Sequence, residues 1–270
     1  MNSNDINQIR NRLKKMNPLI HCITNPISVN QCANAVLAVG ARPIMAEHPD
    51  EAAEITKTAK ALLLNLGNIT NDRLRAISIS SETACGYDIP FVLDAVGTAC
   101  STLRKKFAHN LIEKYTPDII KGNYSEIYAL YDSDYTSSGI DADISLAADN
   151  VTNAAAQLAQ KYNTVILATG KTDIVTDGKK AIYINNGTPR LASVTGTGCM
   201  LGALTACYLA AERDMSAAVT ACAVLGICGE LSESEKGNGS FMVRLSDCLS
   251  LLSDKDIHHL KMEETEFEEF

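Results

Sequence analysis

The chain has no long apolar run, no C-x-x-C pair, no basic cluster, no internal repeat and no low-complexity linker. Each absence excludes a class. The longest nearly apolar stretch, Ala217–Gly229, spans 13 residues. A membrane-crossing helix needs about 20, so this stretch is expected as a buried helix. The opening MNSNDINQIRNRL has no apolar core, so no secretory signal is expected. With a net charge of −8 and no basic patch, neither nucleic acid nor an anionic membrane is an expected partner. The nine cysteines are odd in number and lack the paired spacing of a metal or redox site. Cys207, Cys222 and Cys228 fall in apolar helical stretches, where a thiol packs as a small hydrophobe. A reduced, cytoplasmic protein is the expectation.

What is present is apolar bulk: 46% of 270 residues are hydrophobic, enough for a large core. Length alone fits one sizeable domain or two small ones. No compositional break precedes the C-terminal tail, and residues 1–270 read as a single domain. Five of the last eight residues are Glu, and about 255–270 is expected to be a solvated, disordered tail.

Short runs rich in Ile, Leu and Val alternate with longer amphipathic ones. Pro18–Ile23, Ala61–Leu66, Pro90–Asp94, Asp118–Lys121 and Thr164–Thr169 read as buried strands. Val29–Val39, Glu51–Lys60, Asn71–Ser81 and Ser145–Lys161 between them have helical composition and spacing. That alternation predicts an α/β fold with a mostly parallel sheet covered on both faces. Asp173–Thr176 and Lys180–Ile184 flank Asp177-Gly178, a hairpin signal spliced into the parallel plan. Three helical segments follow, Cys199–Arg213, Ser216–Ser234 and Ser240–Leu252. Ligands of open α/β sheets bind beyond the carboxyl ends of the strands, so chemistry is sought there.

The sharpest feature is Val194-Thr195-Gly196-Thr197-Gly198-Cys199, followed at once by a helix of small and apolar residues. Its glycines let backbone approach a ligand, and the free amides of a first helical turn favour an anion. The alternative is an ordinary strand-to-helix turn. Gly170-Lys171-Thr172 resembles the end of a P-loop, but the required earlier glycine is Val165 and a strand follows. Gly196-x-Gly198-x-x-x-Gly202 is one residue too long for a dinucleotide fingerprint, and no acid follows at the proper distance. Asp94 and Glu126 lie at or just past neighbouring strand ends and could hold Mg²⁺ through water, or be caps. Lys121 could meet phosphate oxygens or be a solvated charge. Cys199 falls at a helix start, a setting that favours thiolates, or fits there because it is small. Asn25 could bind a substrate or start the Pro26 turn. His21 could be a base, or a hydrogen-bonded core histidine.

Taken in order, Ile20-His21-Cys22-Ile23-Thr24-Asn25, Asn65-Leu66-Gly67, Leu93-Asp94-Ala95-Val96-Gly97, Ile120-Lys121-Gly122-Asn123-Tyr124-Ser125-Glu126-Ile127 and Val194-Thr195-Gly196-Thr197-Gly198-Cys199 resemble hydroxyethylthiazole kinase, of the ribokinase-like superfamily. The resemblance runs from about residue 16 to residue 253. It implies a three-layer α/β/α kinase domain and ATP-dependent phosphorylation of 5-(2-hydroxyethyl)-4-methylthiazole in thiamine salvage. It also implies a homotrimer with active sites between subunits. By position, Met45 and Gly196 would contact the thiazole, with Asn25 and the Asn65-Leu66-Gly67 turn nearby. Lys121 and Thr169 would contact ATP, beside Thr197 and Gly198. Asp94 and Glu126 would organise Mg²⁺, and Cys199 takes the place of the catalytic Asp of related sugar kinases. Two positions depart from the family pattern. Lys121 stands where Arg is expected, keeping the charge but losing the bidentate fork. Asp-Ala-Val-Gly stands for Asp-Pro-Val-Gly, losing a conformational lock but not the carboxylate. The alternatives are a hydroxymethylpyrimidine or sugar kinase, the ATP-dependent NAD(P)HX dehydratase, where Asp is expected at 199, and a non-catalytic nucleotide-binding module.

Overall fold

The structure, a computed structural model, describes residues 1–137 and 147–267. The Ile, Leu and Val runs become strands. β1 (Leu19–Ile23), β2 (Arg42–Ile44), β3 (Ala61–Asn65), β4 (Phe91–Asp94), β5 (Ile119–Asn123) and β6 (Val165–Thr169) are parallel. β7 (Asp173–Thr176), β8 (Lys180–Ile184) and β9 (Met262–Glu266) continue the sheet antiparallel. The order is β2-β1-β3-β4-β5-β6-β7-β8-β9.

Every residue of β3 is buried, as in a strand covered on both faces. Leu63 enters one core, while Leu62 and Leu64 enter the other. On the Leu63 side pack α1 (Ser3–Met16), α2 (Val29–Ala38), α9 (Thr197–Ala211), α10 (Met215–Leu231) and α11 (Asn238–Leu251). On the other side pack α3 (Pro49–Thr58), α4 (Asn71–Gly86), α5 (Thr102–Tyr115), α6 (Tyr124–Tyr131) and α7 (Ala148–Tyr162). Three layers result. The apolar run expected as a buried helix is α10, buried nearly throughout because it is hydrophobic on all sides.

After β1 the chain steps outward to β2 through α2, then returns past β1 to β3 through α3. These helices lie on opposite faces, so the two chain paths part above β1 and β3. That opening is the topological switch point where open α/β sheets take ligands.

The elements differ from expectation in informative ways. α1 carries a capping box, Asn2 with Asp5, and buries Ile6, Ile9 and Leu13 at helical spacing. α5, α6 and the four-residue α8 (Pro189–Ala192) also lie outside the segments that periodicity singles out, as do β2 and β9. Three-residue β2 and charged β9 have too little apolar alternation to read as strands. Ser145, the expected start of the helix now seen as α7, lies outside the described residues. β5 runs two residues past Lys121, and the helix after the glycine turn begins at Thr197, two residues before the expected Cys199, so Cys199 is the third residue of α9.

The expectation of a disordered tail over 255–270 is corrected for residues 256–266. Asp256–His259 form a 3₁₀ turn, Ile257 is fully buried, and β9 pairs along β8. The ladder uses main-chain groups, which a Glu-rich sequence supplies as well as any other, while its side chains stay in solvent.

Leu167 of β6 is fully buried in the Leu63-side core. Leu167→Ala is expected to cost about 2–5 kcal/mol of unfolding free energy, the range for leucine truncation in a packed core. Urea unfolding of the variant beside the parent protein checks this.

Candidate active site

The parallel strands deliver their functional side chains to one edge. Asn25 follows β1, Asn65 ends β3, Asp94 ends β4, Lys121 lies in β5, and Thr169 ends β6. The register pairs Asn65 with Asp94, Asp94 with Lys121 and Asn123 with Thr169, so these residues stand side by side.

Lys121 Nζ donates to Asp94 Oδ1 at 2.9 Å, and both side chains are almost wholly inaccessible. Asn65 Nδ2 donates to the other oxygen, Oδ2, at 2.8 Å. Burial raises Asp94 above the ordinary carboxylate range, opposed by Lys121 and Asn65. Burial pulls Lys121 down, but Asp94, Cys199 and Glu126 more than compensate and hold its ammonium charged. Each amide nitrogen carries two hydrogens, and this network places all four of them. Asn65 gives its second to Cys199 Sγ at 3.4 Å. Asn25 Nδ2 donates to Asn65 Oδ1 at 3.4 Å and to Cys199 Sγ at 3.2 Å. The sulfur therefore sits as an acceptor under two amide donors.

Glu126 is the third residue of α6. Its Oε2 accepts the Asn123 amide at 2.7 Å in a capping box, and its Oε1 accepts the Gly97 amide at 2.7 Å. Glu126 is thus a cap and also ties together the segments after β4 and β5. Burial pushes its carboxyl up to about 7, against the pull of Lys121 and the two amides.

Gly196 has φ +95°, a left-handed conformation that side chains rarely adopt, and it turns the chain into α9. The first amides of a helix have no partner within it, so those of Thr197, Gly198 and Cys199 are available at this end. Lys121 lies beside them: a Cβ built on Gly198 would be 3.7 Å from Lys121 Nζ. A buried ammonium and a helix N-terminus thus concentrate positive potential at one place. The Thr197 hydroxyl does not face that place. It donates to Leu191 O at 2.7 Å and holds the incoming loop, leaving only the Thr197 amide for a ligand.

Met45 is partly buried in the loop after β2, against the Leu63-side core. Gly67 N donates to Asn65 Oδ1 at 2.8 Å. Thr169 Oγ1 donates to Gly122 O at 3.3 Å. His21 is a core histidine: its ring nitrogens meet Thr56 Oγ1 at 3.0 Å and Ala46 O at 2.8 Å, and burial lowers its basicity. The P-loop-like Gly170-Lys171-Thr172 is the turn between β6 and β7, with no helix behind it. Asn65, the hub of the network, is signalled in the sequence only as part of the Asn65-Leu66-Gly67 motif, and Arg73, which bonds the neighbouring loops, carries no sequence signal.

Among the described residues no group of three or more His, Cys, Asp or Glu is arranged to hold a metal ion. The donor set still fits Mg²⁺. Asp94 and Glu126 offer hard oxygens, and each oxygen accepts one N–H while keeping a lone pair. Mg²⁺ typically takes one or two carboxylates and fills the rest of its shell with water and phosphate oxygens.

A three-layer sheet with a switch-point crevice, strand-end acids and a glycine-led helix start defines the ribokinase-like α/β class. Residues 10–255 match the model of the hydroxyethylthiazole kinase family. Hydroxyethylthiazole kinase 2 of Clostridium botulinum is 45% identical over 255 residues, covering 92% of this chain and 95% of that protein. The structure of a hydroxyethylthiazole kinase protein from Pyrococcus horikoshii superposes with a TM-score of 0.90 at 32% identity, over 97% of this chain and 100% of that one. The chain belongs to the hydroxyethylthiazole kinase family. The Bacillus subtilis ADP/ATP-dependent NAD(P)H-hydrate dehydratase, crystallised with ATP/Mg²⁺, shares the fold at a TM-score of 0.60 and 17% identity, over 90% of this chain and 94% of that one.

Two outcomes test this geometry. A Cβ at Gly202 would lie 3.1 Å from Asp94 Oδ2 and 3.2 Å from Leu63 Cδ1, so α9 must press closely on the carboxylate. Gly202→Ala is expected to lower turnover about tenfold with little loss of fold, since small displacements at a reacting centre are costly; steady-state rates beside a thermal melt check it. The second concerns Glu126. The folded protein binds its proton more tightly than the unfolded chain, where the carboxyl titrates near its ordinary value of 4.5. Its contribution to stability in metal-free protein is therefore present at low pH and lost as pH rises from 4.5 through about 7. Glu126→Gln, permanently neutral, is expected to flatten this slope. Equal slopes for the two proteins in urea titrations at about pH 5 and about pH 7.5 would refute it.

Proposed function

We propose that this chain transfers the γ-phosphoryl group of ATP to the alcohol of 5-(2-hydroxyethyl)-4-methylthiazole, in thiamine synthesis and salvage. One observation carries the reading most: a charged, buried Lys121 beside the opening amides of α9, with an acceptor sulfur one residue past Gly198. Phosphoryl transfer needs positioning and positive potential more than covalent help, and this arrangement supplies both.

The thiazole would lie at the β2–β1–β3 end, against Met45, Asn25, Gly67 and Gly196. ATP would enter from the β5–β6 end, against Lys121 and Thr169. The amides of Thr197, Gly198 and Cys199 would receive the moving phosphoryl group between the two. The alcohol oxygen attacks γ-phosphorus as the bond to the β,γ-bridging oxygen breaks, and ADP leaves with that electron pair. In this reading Cys199 acts as a thiolate that takes the alcohol proton as the new P–O bond forms and so becomes the neutral thiol, with its sulfur held in place by the amides of Asn25 and Asn65. Asp94 and Glu126 would hold Mg²⁺, which would supply positive charge against the phosphate oxygens. Asp94 also fixes Lys121 and, through Asn65, the orientation of both asparagines.

The same reading includes one kinase domain over residues 1–270, a homotrimer with sites between subunits, and a cytoplasmic location. The location is supported by nine free cysteines. No helix among the described residues is long and apolar enough to cross a membrane. The pyrimidine and sugar kinase readings have weaker support than the thiazole one, given the family. Cys199 in place of an acidic residue argues against the dehydratase.

The direct test is ADP release by purified protein with ATP and Mg²⁺. Release is expected with the thiazole alcohol and not with hydroxymethylpyrimidine, a sugar or hydrated NADH; a preference for any of these would overturn the assignment. Cys199→Ala should lower kcat by about 10²-fold or more if the sulfur takes the proton. Nearly full kcat with an unchanged pH profile would remove that role.

A further inference from the structure

Two loops bound the proposed thiazole end of the crevice. One leaves β2 and carries Met45, Ala46 and Glu47; the other leaves β3 and carries Gly67 and Asn68. They are separate in sequence, and neither belongs to a strand or helix. Arg73, in the first turn of α4, touches both. Its Nε and Nη2 donate to Glu47 Oε2 at 2.9 and 2.8 Å, and its Nη1 donates to the carbonyl of Asn68. Its own amide is capped by Thr70 Oγ1 at 3.2 Å, which fixes the start of the helix beneath it.

The burial of these partners is unequal. The Arg73 side chain is 5% exposed, whereas that of Glu47 is 51% exposed. A half-exposed pair adds little to stability, because water competes for the carboxylate. Its geometry is another matter. A planar guanidinium fixed by one loop's carboxylate and the other loop's carbonyl sets their separation, as a lysine, with one flexible charge, would not. The neighbouring contacts point the same way. Ala46 O, between Met45 and Glu47, accepts from His21 Nε2 of β1, and Gly67 N is fixed by Asn65 Oδ1. Met45 and Gly67 are therefore each anchored to a strand, and Arg73 is the group that spans from one anchored loop to the other.

We infer that Arg73 is a positioning residue for the alcohol substrate, acting through the loops of Met45 and Gly67 and not through the nucleotide side. This rests on the proposed thiazole site. It predicts a selective defect. Thr169 and Lys121 stand at the far end of the strand edge, so loosening the two loops changes acceptor recognition and leaves nucleotide recognition intact.

The test is Arg73→Gln, with Arg73→Lys as the conservative variant. Arg73→Gln is expected to raise KM for the thiazole alcohol about tenfold while KM for ATP stays within about twofold. Arg73→Lys, which keeps the charge and can reach one loop at a time, should recover only part of the loss. Equal rises in both KM values, no rise in either, or full recovery with Lys would overturn the inference. Amide hydrogen exchange provides the arm that needs no substrate. In Arg73→Gln, segments 45–48 and 66–69 should exchange faster together, while the strands keep their protection. Acceleration at one loop alone, at neither, or across the whole fold would overturn the bridge. If the parent protein fails to phosphorylate the thiazole, the proposed function falls, and the exchange experiment still decides whether Arg73 couples the loops.

Discussion

The buried pair of Lys121 and Asp94 is the constraint on which the site depends. Neither charge could sit there alone: removing one partner of a buried ion pair strands the other in a medium that solvates it poorly. Together they form a buried hydrogen-bonded pair, and Asn65 donates to the other oxygen of Asp94. Once Asn65 has committed one hydrogen to Asp94, the rest of the arrangement follows. Its second hydrogen goes to Cys199, its oxygen takes the amides of Asn25 and Gly67, and Asn25 is turned toward the same sulfur. A single electrostatic requirement in the middle of the sheet edge thus organises side chains from five places: the segment after β1, the strands β3, β4 and β5, and the start of α9.

Strand order converts this network into a layout. From β2 to β6 the edge presents Met45, Asn25, Asn65, Asp94, Lys121 and Thr169 in spatial sequence, though the chain visits β1 before β2. Neighbouring strands are about 4.8 Å apart, so the three steps from β1 to β5 span about 14 Å. That distance accommodates an acceptor at one end and a triphosphate at the other. α9 begins close to the charged pair, where Gly202 packs against Asp94 and Gly198 against Lys121. The proposed division of the crevice into acceptor and nucleotide sides is a direct product of the sheet's connectivity.

Much of this was legible in the sequence, for identifiable reasons. β1, β3, β4, β5 and β6 are short apolar runs, and their buried character is written in composition. The hairpin at Asp177-Gly178 and the predominantly apolar α10 have equally local signatures. The glycines before α9 and the acids at strand ends follow from general rules about where ligands bind. What was not legible depends on contacts distant in sequence. That Lys121 is a buried counter-ion, not a surface charge, required the register between β4 and β5. That Asn65 is a hub, and that the Thr197 hydroxyl faces its own loop, are outcomes of packing. The acidic tail misled because composition reports side chains, whereas a ladder is made by the backbone.

That tail has a consequence for how the molecule behaves among its copies. An open sheet has two lateral margins, each with unpaired main-chain groups that could recruit another strand. Here one margin is β2, only three residues long with Pro43 at its centre. The other is β9, which carries exposed Glu263 and Glu266, while Glu264 pairs with Lys180 and the N-terminal amine. Proline withholds a donor at one side, and the carboxylates of Glu263 and Glu266 disfavour an approaching copy at the other. Both margins of the nine-stranded sheet thus carry features that disfavour the lateral addition of another copy's strand.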